Sequence, residues 1–160
     1  MSRLDSFIRR LEAQRACLDF SIRNLVPGAV LELGLGNGRS YDHLRERLGG
    51  IRAIYALDRQ LSAHPGCVPT DLLLGDFRDT LPRLSSRIGR SVALVHADTG
   101  SGDEAASRAQ ALSLPALVEP LLVDGAIVVS DQDMQPGWQA LTLPDGVAPG
   151  RYFIWRYAAR

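Results

Sequence analysis

The run Val30-Leu31-Glu32-Leu33-Gly34-Leu35-Gly36-Asn37-Gly38-Arg39-Ser40 constrains this chain more than any other stretch. An apolar segment carrying one carboxylate leads into three glycines at alternate positions and then into a helical pattern, which reads as a buried strand, a glycine loop and a helix. Glycine has no Cβ, so it takes positive φ at low cost and lets another group approach the backbone. Three of them between a strand and a helix N-terminus describe a loop shaped around a ligand, and the expected ligand is a nucleotide cofactor.

With 160 residues, 46% hydrophobic and 22% charged, the sequence has the size of one domain with a real core, and residues 1–160 are read as a single unit. The formal net charge is zero, which supplies no global field toward nucleic acid or an anionic membrane. There is no lysine, which excludes a phosphate-gripping P-loop lysine and a Schiff-base lysine. No window approaches the ~20 apolar residues of a membrane span, and MSRLDSFIRR lacks a signal-peptide core, so the expected location is cytoplasmic. Cys17 and Cys67 lack metal-ligand spacing and read as reduced thiols.

Taken in order, residues 3–26 carry Leu4, Phe7, Ile8, Leu11, Leu18, Ile22 and Leu25 at helical spacing, an amphipathic helix expected to pack on the core or cover it, with room for one break. Pro27-Gly28 ends it. Strands are expected at 29–33, 51–57, 71–74, 91–97 and 126–130, with helices at 41–48, 77–88 (irregular around Pro82) and 103–123 (broken at Pro115). Two more strands, 138–143 and 152–157, close the chain without an intervening helix. This alternation predicts an α/β fold: a doubly wound, mostly parallel seven-stranded sheet, helices on both faces, and an antiparallel C-terminal hairpin.

In such a sheet ligands bind beyond the carboxyl ends of the strands. Acids stand at or next to every such end: Glu32, Asp58, Asp76, Asp98 and Asp131. A nicotinamide-binding fold would require G-x-G-x-x-G, but Arg39 occupies the third glycine's place, and the glycines read G-x-G-x-G. These residues resemble the class I S-adenosylmethionine-dependent methyltransferases from position 29 to position 157. Glu32-Leu33-Gly34-Leu35-Gly36-Asn37-Gly38 resembles the family's first motif, which implies that Glu32, Gly34, Leu35, Gly36, Asn37 and Gly38 surround the methionine and ribose parts of the cofactor. Asp58 is similar to the acid that accepts from both ribose hydroxyls, which puts Arg59 beside the adenine. Gly75-Asp76 resembles the third motif, where the acid takes the adenine amino group and the next backbone N–H, here that of Phe77, meets the ring. Elementary chemistry agrees, because ribose hydroxyls and an exocyclic amine are donors and a carboxylate only accepts.

Methyl transfer needs alignment and desolvation, and a base only if the acceptor must lose a proton. The candidates near the reacting methyl are His96, Asp98, Thr99, Asp131 and Asp133, with His96, Asp98 and Asp131 named as catalytic and Asp98 also as a cofactor contact. His43 and His64 read as surface or packing residues. His96-Ala97-Asp98 with Asp131-Gln132 resembles the divalent-metal arrangement of catechol- and caffeoyl-CoA-type O-methyltransferases, which implies Mg²⁺ held by Asp98 and Asp131, although His96 stands where a carboxylate is usual and Gln132 where Asn is usual. Asp98-Thr99-Gly100-Ser101 is not the Asn/Asp-Pro-Pro-Tyr/Phe run of amino-methylating nucleic-acid enzymes, so a small-molecule acceptor is expected and nucleic acid is not. The alternative is a non-catalytic cofactor-binding partner or sensor. A homo-oligomer joined at the aromatic edge Tyr152-Phe153-Ile154-Trp155-Arg156-Tyr157 is expected to complete the acceptor site.

Overall fold

A computed structural model describes residues 1–160. Strands β1 (Ala29–Leu33), β2 (Ile54–Asp58), β3 (Asp71–Leu74), β4 (Val92–Ala97), β5 (Leu122–Ser130), β6 (Gln139–Ala140) and β7 (Phe153–Arg156) form one sheet in the order β3-β2-β1-β4-β5-β7-β6. The first five are parallel, and β7 runs antiparallel to both β5 and β6. The order reverses between β1 and β4, so the crevice of a doubly wound sheet opens between their carboxyl ends. The predicted architecture is the one observed.

The period-two alternation of the strands divides the core. Leu31, Leu33, Val95, Ala97 and Val128 face α3 (Phe77–Ile88) and α4 (Glu104–Val118), whose buried residues Leu81, Leu84, Ala111 and Leu114 belong to the same cluster. Val30, Leu94, Ile127 and Val129 face α1 (Arg3–Arg23) and α2 (Arg39–Leu48) through Ala13, Cys17, Leu18, Leu44 and Leu48. Both faces of β4 are therefore buried along its whole length, as expected for a central parallel strand.

Local chemistry sets the helix ends. Ser2 and Asp5 form a reciprocal capping box at α1, and the Asp76 and Asp103 side chains cap α3 and α4. Pro115 does not break α4: it lies near the helix C-terminus, where the chain passes into a 3₁₀ turn, Glu119–Leu121. Pro82 likewise stays inside α3, whose Leu81 and Leu84 are anchored in the core.

Further expectations need correction, beginning with the helix expected to reach residue 123, which ends at Val118 before β5 starts at Leu122. Helix α1 is unbroken, and its buried residues are Ala13, Gln14, Cys17, Leu18 and Ser21, while Leu4, Phe7 and Ile8 in its first half are exposed. The strand expected from residue 51 begins at Ile54, because residues 51–52 form a bend after the left-handed pair Gly49 and Gly50. The aromatic run of residues 152–157 is not an open edge. Strand β7 lies between β5 and β6, and Tyr152, Ile154, Trp155 and Tyr157 are buried, so these aromatics fill the chain's own core. No helix is long and apolar enough to cross a membrane.

Candidate active site

A cleft of about 790 Å³ opens beyond the carboxyl ends of the parallel strands. One wall is made by the loop after β1, the ends of β2 and β3, and the start of α3: Gly34, Leu35, Gly36, Asn37, Asp58, Arg59, Asp76 and Phe77 all line it. Gly34 has φ +81°, and a Cβ there would stand 2.2 Å from the Asp98 carbonyl oxygen, so only glycine lets the two strand ends approach this closely. Gly36 has φ +52°, and a Cβ there would meet nothing within 4 Å, so its backbone is open toward the cleft. Gly38, also left-handed, serves differently: it is the N-cap of α2 and packs against Cys67, and it does not line the cleft.

Two carboxylates present acceptor atoms along this wall. Asp58 accepts the Gly36 N–H at 3.0 Å through Oδ2 and the Arg59 N–H at 2.6 Å through Oδ1, which fixes its plane against the glycine loop. Further lone pairs remain on both oxygens. Asp76 accepts the backbone N–H of Arg78 at 2.8 Å and a two-point contact from its guanidinium, both at 3.1 Å. The hydrogen bond from the Arg78 side chain, followed by that from its backbone, holds the Asp76 carboxyl down to about 2. Acceptor-only groups placed across from open backbone suit the ribose hydroxyls and exocyclic amine of an adenosyl group.

The opposite wall comes from α1, the loop after β4, and α4. Asp98 is half-buried. Its Oδ2 accepts from Arg10 at 3.1 Å and from Gln14 at 2.8 Å. Arg10, Leu11 and Gln14 line the cleft, so α1 is a wall of the site as well as a packing helix. Sequence alone does not mark this role: Arg10 falls on a polar helix face, and Gln14 carries no motif. Arg39, Arg78, Ser101 and Gln110 also line the cleft, and no sequence signal singles them out.

The structure corrects the assignment of His96. Its ring is fully buried on β4, with Nδ1 2.9 Å from Glu32 Oε2 and Nε2 3.2 Å from the Tyr152 hydroxyl, so it touches no acceptor. Burial opposes its imidazolium form, but the charge and hydrogen bond of Glu32, aided by Asp98 and Asp131, prevail and raise its pKa. Glu32 is equally buried, bonded to His96 and to the Ser40 hydroxyl, and lies beneath the glycine loop instead of in the cleft.

The residues do not fit the Mg²⁺ that the resemblance to catechol- and caffeoyl-CoA-type enzymes implies. Asp131 uses Oδ1 and Oδ2 to accept the backbone N–H groups of Thr99 and Gly100, both at 3.2 Å, and is outside the cleft lining. Burial and the nearby Asp98 charge raise its pKa. Asp98 is committed to Arg10 and Gln14, and no three His, Cys, Asp or Glu side chains come together as a cation site. Asp131 is a clamp for the loop after β4. Asp133 instead accepts the Gln135 N–H within its own loop.

Comparisons with known proteins identify the family. A family model described as S-adenosyl-L-methionine methyltransferase matches residues 1–157. The chain belongs to that family. The enzyme is similar to the crystal structure of an S-adenosyl-L-methionine methyl transferase from Silicibacter pomeroyi DSS-3, at 44% identity and TM-score 0.90 over 98% of both chains. It shares its fold with cofactor-bound Rv0187 from MTB, at 21% identity and TM-score 0.57 over 79% of this chain and 57% of that one. The plantazolicin methyltransferase BpumL in complex with SAH has the same fold, at 15% identity and TM-score 0.53 over 78% of this chain and 46% of that one. No curated protein matches the sequence. The methyltransferase is thus a class I enzyme that uses S-adenosylmethionine, and the nicotinamide reading is set aside.

Proposed function

We propose that the methyltransferase binds S-adenosylmethionine with its adenine between Asp76 and Phe77, its ribose on Asp58, and its methionine part along Gly34, Leu35 and Gly36 toward Asp98. One observation carries this reading: Asp58 and Asp76 present acceptor atoms on the same cleft wall as the left-handed Gly34 and Gly36. The bound cofactor supplies a methyl group activated by a sulfonium. This chain's residues hold and align it, and α1 shields the site from water.

The acceptor we assign is a small molecule entering between α1 and residues 98–101. Arg10, Gln14 and Asp98 are the polar groups facing it, with Leu11 as the apolar contact. Asp98, ion-paired with Arg10 and bonded by Gln14, is the fixed negative charge against which the acceptor is oriented. The formal net charge of zero supports a small acceptor over nucleic acid. We place the enzyme in the cytoplasm, in keeping with Cys17 and Cys67 as free thiols.

Thermal unfolding with S-adenosylmethionine, S-adenosylhomocysteine and NAD tests the site. Both sulfur ligands are expected to raise Tm and NAD to leave it unchanged. A folded sample that responds to neither sulfur ligand overturns the proposal. Transfer to a panel of small acceptors is expected to proceed equally with and without a chelator, because the Asp98 and Asp131 oxygens are committed within the protein.

We also propose a homo-oligomer, with its contact moved from the buried aromatics to α1. Leu4, Phe7 and Ile8 are 66%, 46% and 45% exposed and form a stripe that continues into the cleft at Leu11. A second copy seated there would roof the acceptor entrance. Sedimentation across a concentration series is expected to show self-association that Phe7→Glu removes; a monomer throughout rejects it.

A further inference from the structure

We propose that a buried polar chain, Ser40–Glu32–His96–Tyr152–Gln14, joins the donor wall of the cleft to its acceptor wall, with His96 and Tyr152 as positioning residues that touch neither substrate. The inference rests on the cofactor placement proposed above. Ser40 and Gln14 both line the cleft, while Glu32, His96 and Tyr152 have no exposed surface.

Hydrogen bonds join Ser40 through to Tyr152, and Gln14 lies beside the Tyr152 hydroxyl at the far end. The Ser40 hydroxyl donates to Glu32 Oε1. Glu32 only accepts, so the His96 nitrogen 2.9 Å from its Oε2 carries a proton. The other ring nitrogen meets the Tyr152 hydroxyl at 3.2 Å, and the two rings lie within 10° of parallel. Tyr152 abuts the Gln14 side chain, whose amide donates to Asp98 Oδ2 at 2.8 Å. Four structural elements and the segment leading into β7 contribute: Gln14 from α1, Glu32 from β1, Ser40 from the first turn of α2, His96 from β4, and Tyr152 just before β7.

Placing a carboxylate, an imidazole and a phenol in this layer costs more than the apolar packing of their neighbours Val30, Leu94, Ile127 and Val129, so stability alone does not account for them. A fully satisfied network instead fixes its members in one arrangement. Here that arrangement sets the glycine loop and α2, through Ser40, against Asp98, through Gln14. The two groups that must be held at a fixed separation for transfer lie at opposite ends of the chain.

Calorimetric titration of S-adenosylhomocysteine into wild type, Tyr152→Phe, Ser40→Ala and the double variant tests this. Tyr152→Phe, buried behind the cleft wall, is expected to weaken binding about 3- to 10-fold, and the double variant to lose at least about 3-fold less than the product of the single losses, as coupled members of one network do. Affinity within about twofold of wild type for Tyr152→Phe, or strictly multiplicative losses, overturns the chain. If Tyr152→Phe does not fold, His96 carries the test. His96→Gln, whose amide can donate to Glu32 and accept from Tyr152, should bind within about twofold of wild type, while the shorter His96→Asn should lose about 3- to 10-fold; equal affinities overturn the chain. Absence of binding to folded wild type instead overturns the cofactor placement beneath it.

Discussion

Replacing His96 with Leu is expected to lower the free energy of unfolding by about 3–5 kcal/mol, read from urea denaturation, because it strands the fully buried Glu32 carboxylate without its ion-pair partner. Glu32 and His96 are direct neighbours across the β1–β4 pairing and point into the same apolar layer. The Ser40 hydroxyl is the remaining partner of Glu32 and cannot neutralise it. Glu32→Met added to His96→Leu removes the stranded charge, and the double variant is expected to regain most of the loss. The pair also sets a pH dependence. Burial lowers the His96 pKa, yet Glu32, Asp98 and Asp131 outweigh it, and the folded value lies above the unfolded one. The contribution of His96 is thus complete below its ordinary value of about 6.5 and is lost as pH rises through the folded value. Wild-type stability should fall on the alkaline side, and His96→Leu should lack that fall.

The site divides into what adjacent residues encode and what the tertiary structure supplies. The glycine loop and the acids ending β2 and β3 were legible as cleft-lining residues because each lies within a few residues of a strand end: Asp58 and Asp76 occur where a strand signal stops and a loop begins. The sheet was legible for the same reason, since continuous apolar runs such as 92–97 specify a strand buried on both faces. Glu32 and His96 were misread because their positions next to the motifs suggested contact with ligand, whereas strand alternation turns both into the α1–α2 layer. Their pairing depends on the register of β1 against β4, strands more than fifty residues apart in sequence, which no local pattern reports. Helix α1 was misread in the opposite sense. Periodicity identifies an apolar stripe and cannot say which half of a 21-residue helix overhangs the sheet. Leu4 and Phe7 are consequently exposed, and Arg10 and Gln14 form the roof of the site.

Asp58→Ala is expected to weaken S-adenosylhomocysteine binding about 10- to 100-fold, the largest loss from any single side chain on the donor wall. Hydrogen bonds to a charged group contribute about 1.5–3 kcal/mol, and in the placement proposed above, removing the carboxylate deprives two ribose hydroxyls of a common partner. It also frees the Gly36 N–H, which Asp58 holds at 3.0 Å, so the glycine loop loses its anchor along with the ligand contact. Asp58→Asn separates these effects: its carbonyl oxygen can keep the Gly36 bond, but the charge is gone and one acceptor becomes a donor. Its loss should therefore fall between wild type and Asp58→Ala. Ligand-linked unfolding gives an independent reading. At a ligand concentration of 100 Kd the wild type gains about 2.7 kcal/mol; after a 100-fold weakening the same concentration stabilises by only about 0.4 kcal/mol. For a chain of this size that is the difference between a Tm rise of about 5–10 °C and one of about 1 °C. An Asp58→Ala protein that keeps the full rise would move the ribose off Asp58, and with it the cofactor placement from which the acceptor wall of Arg10, Gln14 and Asp98 is defined.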